Sequence, residues 1–287
     1  MNIPDLIKNP AARHEFVLLF DATNSNPNGD PDAGNLPRVD PETMHGLVTD
    51  VALKRKIRDY LALTRDVGIF IQSKSSLNSL IEQAGEDLKK EKGSKRADED
   101  VQKEMCKRYF DIRMFGAVLS TGKMNAGQVR GPVQLTFAKS IDPIFQFELS
   151  ITRQARTTDE RMETGQTEMG RKAVVPYGLY MARGYFNPFL AKTTGVSSDD
   201  LEMLWTALCN LFDYDRSAAR PDMTVRGVYV FTHESDKGNA PAHKLLEMVK
   251  VKSNPDVTAP RAFTDYTVTI NDVDLPSGVT LTKLLEG

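Results

Sequence analysis

Apolar positions fall in blocks along the chain, and their spacing predicts both strands and helices. Residues 14–21, HEFVLLFD, are a dense apolar run with aromatics at Phe16 and Phe20 and an acid at the end. Bounded by Asn, Pro and Gly, such a run predicts a buried central strand. Thr49 and Asp50 then offer an N-cap before VALKRKIRDYLAL, where Val51, Ile57, Tyr60 and Leu61 are expected to share one buried stripe. The β-branched run Val67 to Ile71 predicts a second strand. Val129 to Phe137 and Ile144 to Thr152 read as strands joined by a turn at SIDP, and Ala173 to Tyr185 as another strand. Ser197 or Ser198 caps a helix whose Leu201, Leu204, Trp205, Leu208, Leu211 and Phe212 make a continuous apolar face. Val225 to Thr232 predicts a strand, Pro241 to Val251 a helix, and Tyr266 to Ile270 a last strand.

Three stretches interrupt this pattern. Ala22 to Pro41 is rich in turn formers, and a loop of that length inside a compact domain points to function. From Glu86 to Arg108, 15 of 23 residues are charged, 8 basic and 7 acidic. Their signs nearly cancel, which predicts a solvated helical insertion broken near Gly93. Arg153 to Lys172 has few large apolar residues and reads as a projecting hairpin. With the insertions removed, strand, helix, strand occurs twice, the order of an RRM/ferredoxin-like core in the α+β class. We expect one elaborated domain over 1–287, with an inserted, partly helical region at 72–128 and a projecting segment at 153–172.

Charge narrows the function classes. Lys and Arg number 37 against 39 Asp and Glu, a net −2, so the chain cannot coat nucleic acid by bulk charge. A nucleic-acid site would have to gather cations locally. The longest apolar run is five residues, Phe16 to Phe20, far below the roughly 18 that span a bilayer. No secretory signal is visible at the N-terminus, so the expected location is cytoplasmic, without a membrane partner. Cys106 and Cys209 stand alone, which predicts no disulfide framework.

Several motifs nearly fit. Gly116 to Lys123 resembles a phosphate-binding loop, but five residues separate the glycines and Met124 occupies the hydroxyl position. Asn24, Asn26 and Asn28 before Gly29 echo half a calcium loop, yet position twelve is Asn35 rather than Glu. His14, His45, His233 and His243 have no metal-ligand spacing, and no GxSxG elbow is present. Neither a cofactor nor a metal is expected. Cations do gather locally: Lys54, Arg55 and Arg58 on the first helix, and Lys123 and Arg130 in the small-residue segment Ser120 to Pro132. Arg153, Arg156, Arg171 and Lys172 flank the projecting segment. Arg216 and Arg220 lie in DYDRSAARPDM, where Asp213 and Asp215 offer Arg216 an ion pair. On an RRM-like order of elements, these patches make nucleic acid the leading partner class.

Long strings then carry a family resemblance. NSNPNGDPDAGN (24–35), Pro37-Arg38, GLVTDVALKRKIRDY (46–60), FGAVLSTGKMNAGQVRGPVQLTFAKSIDPI (115–144), MGRKAVVPYGLY (169–180) and DRSAARPDM (215–223) resemble the backbone subunit of type I CRISPR Cascade complexes, most closely type I-C. That RAMP-superfamily resemblance implies an RRM-like palm with inserted fingers and a protruding thumb. It implies a non-catalytic scaffold whose copies polymerise along the spacer of a crRNA beside other Cascade subunits and present the bases to target DNA. Asn26, Asn28, Arg38, Thr49, Lys54, Arg55, Arg58, Gln128, Arg130, Arg153, Arg156, Arg171 and Lys172 are the residues expected at the RNA. The alternative is a metal-dependent endoribonuclease acting through the loop acids Asp30 and Asp32, as in related type III backbone subunits.

Overall fold

Strand β1 (His14–Ser25) opens with nine consecutive buried residues. A strand apolar on both faces needs cover on both, and its two sets of side chains enter different cores. Phe16, Leu18, Phe20 and Ala22 pack on the helical side, against Leu53, Ile57, Leu204, Trp205 and Leu208. Val17 joins Tyr229, Phe231, Leu245 and Val249 on the other side, and Leu19 joins Tyr177, Leu179 and Tyr266. The result is a mixed α+β architecture around a large antiparallel sheet.

A computed structural model describes residues 2–72, 76–92, 98–120, 126–153 and 168–287. After β1 come β2 (Gly29–Asp30), β3 (Leu36–Pro37), β4 (His45–Val48) and helix α1 (Asp50–Thr64). Helices α2 (Leu77–Lys92), α3 (Asp98–Arg108) and α4 (Phe110–Phe115) follow, then β5 (Gly116–Val118), β6 (Gln128–Arg130), β7 (Val133–Leu135), β8 (Ala138–Pro143), β9 (Phe147–Arg153) and β10 (Glu168–Phe186). The chain ends through α5 (Pro188–Thr194), α6 (Ser198–Cys209), β11 (Asp222–His233), α7 (Ala242–Leu246), β12 (Val249–Ser253), β13 (Tyr266–Ile270) and β14 (Val279–Glu286). The main sheet runs β14-β11-β1-β10-β8-β4, with β7 and β9 also on β10. Strand β1 is antiparallel to both neighbours, pairing Leu18 with Ala182 on β10 and with Val228 on β11. Gly184 lies under the Phe16 ring, where a Cβ would overlap the aromatic carbons.

The structure departs from the sequence reading at several elements. Val67 to Ile71 is not a strand: Gly68 makes one isolated parallel bridge to Tyr109, while Ile69 and Phe70 are buried as core residues. SIDP lies inside β8 instead of forming a turn, and the next strand starts only at Phe147. The stretch 241–251 divides into a short α7 and the strand β12, whose alternating Val249, Lys250, Val251 and Lys252 pair with β13. Beyond β13, β14 pairs with β11 and closes one side of the main sheet. On α1, Val51 is 67% exposed, and the buried stripe is Leu53, Ile57, Arg58 and Leu61. The charged region has a core of its own: Ile81, Ala84 and Leu88 of α2 meet Val101 and Met105 of α3, beside Phe70 and Ile112. Its expected break near Gly93 lies outside the described residues. So does 154–167 of the segment expected to project; the described residues on either side, β9 and the start of β10, pair with each other.

His14 is fully buried between Asn9 and Thr232, with Nε2 3.0 Å from the Asn9 carbonyl oxygen and Nδ1 3.0 Å from the Thr232 hydroxyl. Burial lowers its pKa to about 4. The unfolded chain therefore takes up this proton below its ordinary 6.5, while the folded chain resists until about 4. Stability from this group is complete above pH 6.5 and lost as pH falls to 4, by roughly 3 kcal/mol in all. Urea unfolding of the wild type and His14→Gln between pH 7 and 4 tests this. The slope with pH in that window should be shallower in the variant; an equal slope excludes His14 as its source.

Candidate nucleic-acid interface

The loop after β1 and the start of α1 form one hydrogen-bonded unit. Thr49 is the N-cap of α1, its hydroxyl accepting from the Ala52 N–H at 3.2 Å. The Thr49 N–H in turn donates to Asn28 Oδ1 at 2.9 Å. Arg38 N–H donates to the Asn28 carbonyl at 3.0 Å, and Leu47 N–H to the Arg38 carbonyl at 2.9 Å. Between Asn28 and Arg38, β2 and β3 make a small hairpin that turns through Gly34 and Asn35 at φ +62° and +63°. The left-handed region suits Gly and Asn, which explains the turn-rich composition. Asn26 is buried. Its side-chain amide donates to the Asn35 carbonyl at 2.8 Å, and its backbone N–H to the Ala219 carbonyl at 2.7 Å. Asn26, Asn28, Arg38 and Thr49 thus converge at the N-terminus of α1, where the helix dipole favours anions.

The basic stripe of α1 has a different geometry from the expected one. Arg58 sits at the edge of the buried stripe with its side chain 9% exposed, 2.7 Å from Asp111 and 5.3 Å from the centre of the Phe115 ring. Lys54 pairs with Asp50 at 2.9 Å and is 13% exposed. Arg55 donates to the Ile71 carbonyl at 3.1 Å and lies 3.7 Å from Asp59. Lys54 and Arg58 therefore do not present an exposed pair one turn apart, because α1 turns that side toward α4. Asp111 collects the Phe70 and Ile71 N–H groups at 2.7 and 3.0 Å besides Arg58, so Arg58 fixes α1 against α4.

The other expected residues lie on two further elements. Gln128 and Arg130 are exposed on β6, either side of buried Val129, and Arg130 has no ion-pair partner among the described residues. Neighbouring 121–125, with Lys123, lies outside the described residues, as does Arg156. Arg153 ends β9; Arg171 is 80% exposed and 3.3 Å from Glu148, and Lys172 is half-buried on β10. Near α1 it is Arg220, not Arg216, that pairs with Asp215, at 3.0 Å, joined by Lys56 at 2.6 Å. Burial lowers the Lys56 pKa against the pull of Asp215. Sequence spacing missed this contact because it crosses from helix to loop. It missed likewise the Asp21 carboxylate, held by Arg226 at 2.8 Å and the Tyr177 hydroxyl at 3.0 Å, whose pKa burial nonetheless raises.

The loop acids serve the loop. Asp30 accepts from the Asp32 N–H at 3.2 Å and lies 3.4 Å from Arg38, while Asp32 is exposed. Among the described residues no group of three His, Cys, Asp or Glu side chains is placed to hold a metal ion, and no helix is long and apolar enough to cross a membrane.

Residues 12–271 match the profile of the family described as CRISPR-associated protein Cas7, and the chain belongs to that family. A Haloferax volcanii protein described as CRISPR-associated protein Cas7 is 29% identical over 226 residues, 69% of this chain and 64% of the relative. The chain therefore spans just under two thirds of that relative's length. Two solved structures are similar at TM-scores of 0.47 and 0.46, with 12% and 14% identity. They are described as a CRISPR RNA-guided surveillance complex, pre-nicking, and a CRISPR RNA-guided surveillance complex; each match covers 76% of this chain, and 78% and 68% of theirs.

Substitutions separate positioning from surface roles. Arg58→Ala leaves the Asp111 charge buried without its cation and should cost about 3–5 kcal/mol. Thr49→Ala loses a cap, about 1 kcal/mol, and Arg130→Ala should stay within about 0.5 kcal/mol. Urea unfolding of the three variants measures this; a loss under about 1 kcal/mol for Arg58→Ala contradicts the positioning role.

Proposed function

We propose that this Cas7-family chain is a non-catalytic scaffold of a type I-C Cascade. Copies polymerise along the spacer of a crRNA, hold its phosphates and present its bases to target DNA, beside other Cascade subunits in the cytoplasm. The observation that carries this reading is the family match across residues 12–271. Support comes from the strand order β11-β1-β10-β8, with α1 following β1 and α6 preceding β11. That is the 4-1-3-2 order of a ferredoxin-like or RRM-like palm. The region 72–128 is then the inserted fingers and 153–172 the thumb, its stem the β9–β10 pair.

Within the palm, the RNA backbone runs past the N-terminus of α1 and β6. Asn28 and Thr49 orient the first turn, Asn26 fixes the loop beneath it, and Arg38, Gln128 and Arg130 meet phosphate or ribose oxygens. Lys54 and Arg55 lie along the same helix, and Arg58 acts by locking it to Asp111. Arg153, Arg156, Arg171 and Lys172 contact RNA or the adjacent copy from the thumb. Such backbone contacts carry no base identity, so any spacer is held equally. A chain of net charge −2 can do this because only the inner surface of the filament needs cations.

Arg38→Ala with Arg130→Ala should weaken crRNA binding equally for two unrelated spacers and lower the salt slope by about 1.4, or 0.7 per lost single-strand phosphate. Filter binding over a salt series measures both quantities. An unchanged slope removes these residues from the interface, and loss for one spacer alone means that they read bases. Labelled target RNA incubated with the protein and Mg²⁺ should stay intact; cleavage abolished by Asp30→Ala or Asp32→Ala replaces the scaffold reading with an endoribonuclease.

A further inference from the structure

The charged insertion and the α5–α6 turn enclose a second basic surface. A cleft of about 490 Å³ lies between them, lined among others by Lys103 and Lys107 of α3, Lys192 of α5, Arg113 of α4, and Ser197 and Asp200 at the start of α6. The acid here is already neutralised. Arg113 grips Asp200 with two nitrogens at 2.9 and 2.6 Å, and its third nitrogen donates to the Cys106 carbonyl at 2.6 Å. Asp200 also accepts from the Ser197 backbone N–H at 2.9 Å, completing the capping box of α6. Lys103, Lys107 and Lys192 are exposed, and none has an ion-pair partner among the described residues. Lys103 and Lys107 are one helical turn apart, where like charges destabilise a helix. Three unneutralised ammonium groups therefore face one cleft from two elements, in a chain whose total charge is negative.

We propose that this cleft binds the phosphate backbone of a nucleic acid, separately from the α1 interface. Asp111 and Arg113 stand two residues apart on α4, about 200° around the helix. Asp111 reaches α1 and Arg113 reaches the cleft, so the α1 part of that interface lies across α4 from the cleft, while β6 stands nearer, Gln102 of α3 donating to the Gln128 carbonyl at 3.1 Å. The lining contains no aromatic side chain on which a base would stack. Lysine supplies a mobile point charge suited to phosphate oxygens, and the open cleft is larger than one phosphate group needs. Binding here is insensitive to sequence and steep in salt.

The test compares wild type with Lys103→Ala, Lys107→Ala, Lys192→Ala in one chain, using a duplex DNA of arbitrary sequence over a salt series. Loss of three duplex phosphate contacts should lower the salt slope by about 2.7 and weaken binding at least tenfold at low salt, with crRNA binding unchanged and Tm no lower. Restoring the three positions as Arg should restore the slope. An unchanged slope overturns the proposal. So does loss of crRNA binding with Tm intact, which would merge the cleft with the α1 site. Lysine-dependent binding of inorganic phosphate without lysine-dependent duplex binding assigns the cleft to a free anion instead. Polyglutamate binding that falls in the variant while duplex binding does not assigns it to an acidic protein segment. If the α1 reading fails, crRNA binding is indifferent to Arg38 and Arg130 while the slope for duplex still follows these lysines.

Discussion

Asp111, a carboxylate with no exposure to water, organises the helical side of the molecule. Removing such a charge from water costs several kcal/mol unless strong donors surround it. Three do: the Arg58 guanidinium and the N–H groups of Phe70 and Ile71. Each donor belongs to the helix or connection that must meet α4, so satisfying one carboxylate fixes α1, the segment leaving it and α4 together. Two residues on, Arg113 repeats the logic in reverse, a cation held by Asp200 of α6 and by the last carbonyls of α3. The six-residue α4 is thus the joint between α1 and α6 on one side and α3 on the other.

This arrangement explains how a near-neutral chain keeps local basic surfaces. Arg58, Arg113, Lys56 and Arg226 each face a carboxylate within the fold and set the positions of elements. Arg130, Lys103, Lys107 and Lys192 have no such partner among the described residues and remain available to outside anions. Arginines and lysines with the same spacing in sequence have opposite roles according to whether an acid from a distant element arrives beside them.

That is also the boundary of what the sequence made legible. The central strand, the Thr49 cap and the apolar face of α6 follow from local spacing, and the structure has all three. Family strings located the Asn26–Arg38 loop, but its convergence on Thr49 rests on a hydrogen bond to Asn28 across 21 residues, which local spacing does not reveal. Arg58 reads as a surface cation because its partner is 53 residues away. The β-branched run at 67–71 suggests a strand, but Asp111 captures the N–H groups of Phe70 and Ile71 that a ladder would need. Strand β14 was missed because its neighbour β11 lies far back in sequence and its own pattern, one buried residue followed by half-buried and exposed ones, has no clean alternation.

Strand β10 belongs to two structures at once. Residues 168–174 pair with β9, and from Val175 to Phe186 the same backbone pairs with β1 at the centre of the sheet. The two halves differ in how they accept changes of length over evolutionary time. An insertion or deletion between 154 and 167 falls beyond both ladders and leaves each register as it is. One residue added between Val175 and Phe186 would turn every later side chain over, sending Ala182 away from the helical core and Arg183 into it. A change in chain length is therefore tolerated between β9 and β10, while the stretch of β10 that joins the two ladders is held to a fixed count of residues.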